Sequence, residues 1–370
     1  MYIYLIPLSL LSLLAFFEIN YKFKKILRSN KFYLLLFVLF IIFIGFRDNI
    51  GCDWDSYQRN FRNISFKTFS EIFSQQSNFF NIGYILITKI VSLLSSSFSF
   101  ISLKLNFHIN IFLISIIFTG TLFYFCSKLK RTYLALLMSY PYYLIVIGMG
   151  PIRQSLAISF LMMTILFVYL NNYGRYVFSA ILSSSFHHSA IFVNTFYFTI
   201  LNIFNRHKPQ KYLVIIFYLT LMSIFFLSND LIINKLIIYI TEYSTRLNPA
   251  KGVIFVWIIN FLPSIIYLTN FSKFKFNRDI KRLLLYYSIF EICLLPFAFI
   301  NSIITYRLLL YSFPSSILIT SFIPDINLFK IDAKNSYKYL IIICYASLII
   351  WMKYAYHSYC WLPYENILFR

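Results

Sequence analysis

Apolar runs, each broken by a short polar or basic cluster, follow one another along the whole chain. They lie at roughly 2–19, 32–46, 107–126, 133–147 and 154–170, then at a shorter pair near 176–186 and 189–201, then near 212–227, 252–270, 283–299, 308–322 and 339–353. A helix needs about 20 apolar residues, at 1.5 Å per residue, to cross a ~30 Å hydrocarbon layer. Many of these runs approach that length. Lipid offers no partner for unpaired backbone groups, so helices are the predicted elements. The pattern predicts an all-α polytopic membrane protein with about 12 transmembrane helices. No soluble domain, heptad array or internal repeat interrupts it, so residues 1–370 read as a single membrane domain. The run from Tyr2 to Ile19 has no basic residue before it and no small-residue cleavage pattern after it, and reads as a retained helix.

Composition agrees with the pattern, since hydrophobic residues make up 60% of the chain and charged residues 12%. A soluble domain carries roughly a quarter charged residues. The net charge of +21 sits in clusters between apolar runs, with no basic domain or aromatic-basic platform, which excludes nucleic acid as the partner and points to a lipid bilayer. Five loops hold most of it: Lys22 to Lys31, Lys128 to Arg131, Arg206 to Lys211, Lys273 to Arg282 and Lys330 to Lys338. The positive-inside rule places all five in the cytoplasm. Asp48, Asp53, Asp55, Glu71, Asp230, Glu242 and Glu365 then fall outside.

Parity creates a conflict between Lys31 and Lys128, which share a side only if an even number of spans separates them. Three apolar runs lie there, and the middle one, Ile82 to Leu94, is short and carries Lys89 in its interior. It reads as an interfacial helix within a long first outer loop, residues 47–106. Both termini, Gly148 to Arg153, His187, His188, Arg246 and Arg307 are then outside.

Ionisable groups at the edge of a membrane are costly and need a reason. Asp53 and Asp55, at i and i+2, cannot share one helical face, so a loop or turn is expected. One carboxylate can take a proton from a sugar hydroxyl or hydrogen-bond a sugar, with Trp54 and Tyr57 as packing faces, and a solvated loop with interfacial aromatics is the alternative. Arg153 and Gln154 open a helix after Gly148-Met149-Gly150-Pro151, where a phosphate could meet free backbone N–H groups and a guanidinium. Snorkelling from a helix end is the other reading of Arg153, and Arg307, taken as the start of a helix, has the same two readings. His187 and His188, at an expected turn, can shuttle a proton or donate to phosphate, or simply form a polar turn. Glu291, within an apolar helix, calls for a partner. The five cysteines have neither CxxC spacing nor a histidine cluster, and no metal site or cofactor motif is expected.

Taken in order, Arg47, Gly51-x-Asp53-x-x-x-Tyr57-x-x-x-Phe61, Arg153-Gln154-x-x-Ala157, Phe186-His187-x-Ser189-Ala190, Tyr306-Arg307 and Leu362-Pro363-Tyr364 resemble the EpsG-type branch of the Wzy polysaccharide polymerases. The resemblance runs across almost the whole chain. It implies a bacterial inner-membrane glycosyltransferase with a GT-C-like fold, joining undecaprenyl-diphosphate-linked oligosaccharide repeats at the outer leaflet into O-antigen, capsule or exopolysaccharide. It also implies a flippase and a chain-length regulator as associated proteins. In that scheme Asp53, Arg153, His187 and Arg307 are the catalytic candidates, and Arg47, Asp55, Tyr57, Gln154 and His188 the substrate-binding ones. Cys52 and Trp54 depart from the small or hydroxyl residue and the other aromatic residue anticipated at those positions. Cys52 and Cys360 both fall outside, which permits a disulfide between loop and tail. A flippase of lipid-linked sugars, an O-antigen ligase or a membrane acyltransferase share the same hydrophobicity and residue types.

Overall fold

The computed structural model describes residues 1–19, 29–74, 81–96, 102–203, 252–326, 328 and 331–369. Every apolar run within them forms helix, and among the described residues the only extended pairing is an isolated antiparallel bridge between Arg47 and Asn366. The run at 212–227, the Arg206 to Lys211 loop and Arg246 lie outside the described residues.

In chain order the helices are α1 (Tyr2–Glu18), α2 (Asn30–Gly45), α3 (Trp54–Phe66), α4 (Phe69–Ser74), α5 (Ile82–Ser96), α6 (Leu103–Ser127) and α7 (Thr132–Ser139). They continue as α8 (Ile152–Tyr169), α9 (Tyr173–Phe186), α10 (His188–Ile203), α11 (Gly252–Thr269), α12 (Arg278–Ile300), α13 (Ser302–Leu309), α14 (Phe313–Phe322) and α15 (Ala333–Tyr354). Helix α7 runs on as a π-helical segment, Tyr140–Ile147, with Pro141, which brings no N–H to the ladder, near its start. Among the described residues six helical stretches are long and apolar enough to cross a membrane: α6, α8, α11, α12, the stretch Ser302–Asp325 and α15. Four further apolar helices, including α1, α2 and α7 with its π extension, are shorter.

Helix starts follow the capping residues. Ser29, Ser102, Asn172, Asn277 and Asn301 each accept a hydrogen bond from a backbone N–H in the first turn of α2, α6, α9, α12 and α13. Thr68 and Glu71 form a reciprocal capping box on α4.

The chain divides into two compact units. The first comprises Met1–Phe66, Ile87–Ser159 and Ile317–Arg370. In it α1 packs along α7, α2 along α6, and α15 against the π-helical segment. At 25 residues α6 is about 37 Å long, so its two ends define two ends of this unit. At one, Glu18 accepts from the N–H groups of Tyr133 and Leu134, and Lys130 and Arg131 pair with Asp325 at 2.9 and 2.7 Å. At the other lie the 46–53 turn, α3 and the C-terminal segment. Lys89, the charge inside the apolar run of α5, donates to the carbonyls of Ile64 and Ser65 at 3.3 and 3.1 Å, where it caps the end of α3.

The second unit comprises Lys67–Leu86 and Phe160–Ser316. Here α11 packs on α12 and α13, and α9 on α10. Glu291 of α12 is fully buried, and the Ser264 hydroxyl donates to its carboxylate, while the Trp257 indole N–H donates to its backbone carbonyl at 2.8 Å.

Candidate functional site

In the first unit the chain leaves α2 through a turn in which Asn49 and Gly51 both have positive φ, 55° and 99°. A side chain on Gly51 would run into the Met149 carbonyl oxygen, so glycine is required on two counts. The C-terminal segment fixes this turn. Asp48 N–H donates to Glu365 O at 3.0 Å, Gly51 N–H to Cys360 O at 2.9 Å, and Ile367 N–H to Phe46 O at 2.9 Å. A disulfide joins Cys52 to Cys360 across 308 residues of sequence.

Asp53 immediately precedes α3, its backbone carbonyl accepting from Tyr57 N–H at 2.9 Å. Trp54, Tyr57, Phe61 and Ile64 then repeat at helical spacing and form the buried face, which leaves Asp53 and Asp55 exposed. Asp53 lies in the turn that precedes α3, as the expected loop or turn has it, whereas Asp55 lies in the first turn of the helix, which it can do because neither carboxylate is on the packed face. Trp54 and Tyr57 are likewise not open sugar platforms. Trp54 packs against Phe107 with ring centroids 5.1 Å apart, and Tyr57 is 7% exposed.

What Tyr57 does instead is hold Arg153. Its hydroxyl accepts the Arg153 backbone N–H at 3.3 Å, and the guanidinium carbon lies 5.8 Å from its ring centroid. Burial raises the Tyr57 phenol above its ordinary range, and the Arg153 guanidinium opposes that rise. Arg153 occupies the first turn of α8, half-buried, with Gln154 buried beneath it. The approach to this turn is tightly packed. A side chain on Gly148 would enter the Phe118 ring, and one on Gly150 would meet the Val146 carbonyl at 2.7 Å and the Trp361 ring at 3.1 Å. Trp361 donates its indole N–H to Ile145 O, in the π-helical segment, at 3.1 Å.

Arg47 is elsewhere in chemical terms, at 1% exposure. It donates to Ile44 O at 2.6 Å and to Ser115 Oγ at 3.4 Å, and its guanidinium carbon lies 5.9 Å from the Trp54 ring centroid. Its contacts are those of a residue that locks the end of α2 to α6. Beside it Asp48, also buried, pairs with His108 Nε2 at 3.5 Å and Lys104 Nζ at 3.9 Å. Lys104 and His108, four residues apart on α6, escaped the sequence reading. Their i, i+4 spacing one turn into a capped helix was the available signal.

In the second unit His187 joins α9 to α10 in extended conformation, φ −156° and ψ 132°. Its Nδ1 lies 2.6 Å from Ser189 Oγ and accepts the Ser189 backbone N–H at 3.3 Å. Ser189 Oγ is in turn 2.8 Å from Tyr311 Oη. His188 stacks on His187 with ring centroids 4.3 Å apart. Arg307 lies four positions before Tyr311, one helical turn earlier in the same helical stretch. Arg307 does not open a helix as expected, because Asn301 caps α13 earlier and places Arg307 in its last turn. The free N–H groups of a helix start are therefore not beside it.

So one unit gathers Asp53, Tyr57 and Arg153, and the other gathers His187, His188 and Arg307 with Ser189 and Tyr311. The first joins a cation to an aromatic hydroxyl, and the second joins a histidine to a serine and a tyrosine hydroxyl. No curated protein and no solved structure matches the chain. The model of the EpsG family matches residues 30–366, a span that contains every residue of both groupings, and the chain belongs to the EpsG family.

Proposed function

We propose that this protein is the membrane glycosyltransferase that polymerises undecaprenyl-diphosphate-linked oligosaccharide repeats at the outer face of the bacterial cytoplasmic membrane. Membership of the EpsG family supports a polysaccharide polymerase, and the helices support a bilayer setting. The observation that carries the residue assignment is Arg153, seated in the first turn of α8 and held there by Tyr57. A guanidinium at the edge of the membrane suits an anionic leaving group, because its charge and planar fork match phosphate oxygens.

In the reaction a sugar hydroxyl of one lipid-linked unit attacks the anomeric carbon of the growing chain. A new C–O bond forms, the bond to the lipid diphosphate breaks, and the hydroxyl proton passes to a base. Asp53, exposed just before α3, is the base or acceptor-orienting group, with Asp55 beside it as a sugar contact. Arg153 takes the charge that develops on the departing diphosphate. Gln154 supports Arg153 within the first unit, and in the second unit His187 and Arg307, with His188 beside His187, are candidate donors to oxygens of a substrate in their own right. An outer location accords with the charge bias of the loops and with a disulfide at that end, since disulfides persist in oxidising compartments.

The test is genetic. Loss of the gene in its host is expected to abolish long surface chains while single repeats still reach their acceptor. Arg153→Lys is expected to reproduce that phenotype, because lysine cannot supply a planar two-pronged contact. Loss of all surface sugar would instead indicate a flippase, and unchanged chain length would contradict polymerisation.

A further inference from the structure

Tyr4, Tyr133, Tyr140, Tyr143 and Tyr337, all in the first unit, are buried. The stretch that follows α15 treats tyrosine differently. Tyr356 is 85% exposed and Tyr359 64%, with His357 exposed between them. Their rings form a row, the Tyr356 and His357 centroids 5.0 Å apart and those of His357 and Tyr359 6.5 Å. The backbone beneath is fixed: Ser358 N–H donates to Ala355 O at 3.0 Å, Cys360 N–H to His357 O at 3.1 Å and Leu362 N–H to Tyr359 O at 3.1 Å, and Trp361 is buried. Rings carried on such a turn lose little freedom when a ligand settles on them. The row also has a definite neighbour. Cys360 is bonded to Cys52 with Cα atoms 5.1 Å apart, Gly51 N–H donates to Cys360 O at 2.9 Å, and Cys52 Sγ lies 3.6 Å from His357 O. Tyr359 precedes one half of that bridge and Asp53 follows the other, so the exposed rings and the exposed carboxylate share one end of the first unit.

Exposed aromatic rings at the end of a membrane helix commonly belong to the headgroup layer. Tyr354, the last residue of α15 and next to Lys353, fits that role. Tyr356 and Tyr359 do not. At 22 residues α15 is about 33 Å long, as thick as the hydrocarbon layer, and Ala355, extended at φ −72° and ψ 128°, turns the chain off its end. The row beyond stands beside Asp53 and Asp55, two exposed carboxylates that repel anionic headgroups. A sugar ring is the better match, because it offers an apolar C–H face to a flat ring and a rim of hydroxyls to the phenol and imidazole tips. We infer that Tyr356, His357 and Tyr359 form a stacking row for the acceptor glycan, holding the sugar whose hydroxyl meets Asp53. The inference rests on the polymerase reading for the identity of that glycan, but binding to the row is measured without turnover.

Full-length protein in lipid nanodiscs is titrated with lipid-free oligosaccharides of a few repeats, cut from the surface polysaccharide of the host, and binding is followed by saturation-transfer NMR. Wild-type protein is expected to bind. Tyr356→Ala and Tyr359→Ala are each expected to weaken binding about tenfold at an unchanged melting temperature, and Tyr356→Phe and Tyr359→Phe to stay within roughly threefold, because the ring face makes the contact. With purified lipid-linked repeats the alanine variants are expected to raise KM for the acceptor about tenfold and to leave kcat unmoved. Wild-type protein that binds no oligosaccharide, or alanine variants that bind as wild type does, overturns the inference. Tyr356→Trp tests the bilayer alternative: its added emission is expected to ignore brominated lipid chains and to shift when oligosaccharide binds, and quenching by those chains would assign the row to the membrane instead. Arg153→Lys is expected to bind the oligosaccharide normally and to make no polymer. Tyrosine-dependent binding by a wild-type protein that makes no polymer would sink the polymerase reading and leave the row standing.

Discussion

Arg47 and Arg153 carry the same guanidinium, and their surroundings assign them different work. Arg47 is enclosed, with its hydrogen bonds directed to Ile44 O and Ser115 Oγ, whereas Arg153 is half-buried at a helix start. Removing a charged hydrogen-bonding group from the interior costs about 1.5–3 kcal/mol. Arg47→Ala is therefore expected to lower the yield and melting temperature of purified protein, while Arg153→Ala leaves both near wild type and removes polymer. Equal losses of folded protein in the two variants would contradict this division. Sequence alone could not make the distinction, because both arginines follow an apolar run and both belong to the motif order. Asp53 and Asp55 were legible as exposed acids. The burial of Trp54 and Tyr57 was not, because a helix of mixed polarity reveals its packed face only once Phe61 and Ile64 are seen to extend it.

At the scale of elements, the helices were the most legible feature, since apolar runs of bilayer length and cap residues at their starts both lie in local sequence. Lys89 looked anomalous in an apolar run until its partners, the terminal carbonyls of α3, were known. The C-terminal segment was the least legible element. It reaches the 46–53 turn through a disulfide and three backbone hydrogen bonds, and the π-helical segment through Trp361, all of them between residues hundreds of positions apart. Such a bridge contributes typically about 2–4 kcal/mol. Dithiothreitol is expected to lower the melting temperature of the wild-type protein and to leave that of Cys52→Ala/Cys360→Ala, already lower, unmoved. A wild-type melting temperature indifferent to reductant would show that the bridge does not hold the turn. Trp361→Phe keeps the ring but loses the bond to Ile145 O, and is expected to cost about 1 kcal/mol in the same measurement.

For the whole molecule, charge bias along the sequence divided the loops between two sides. Within the first unit, Lys130 and Arg131 meet Asp325 at one end of α6, and the turn after α2 meets the C-terminal segment at the other. The account requires the second end to face outward. Cysteines introduced at Asn63 and Lys128, both exposed, test this in intact cells: a membrane-impermeant maleimide is expected to label Asn63→Cys directly and Lys128→Cys only after permeabilisation. The reverse pattern would invert the topology. The central claim is that the protein itself lengthens a lipid-linked glycan. Purified protein in nanodiscs, added to lipid-linked repeat units extracted from the gene-deleted host, should convert single repeats into a ladder of longer chains and release lipid diphosphate. A preparation that polymerises no repeats, while the same protein restores long chains in cells, would contradict it.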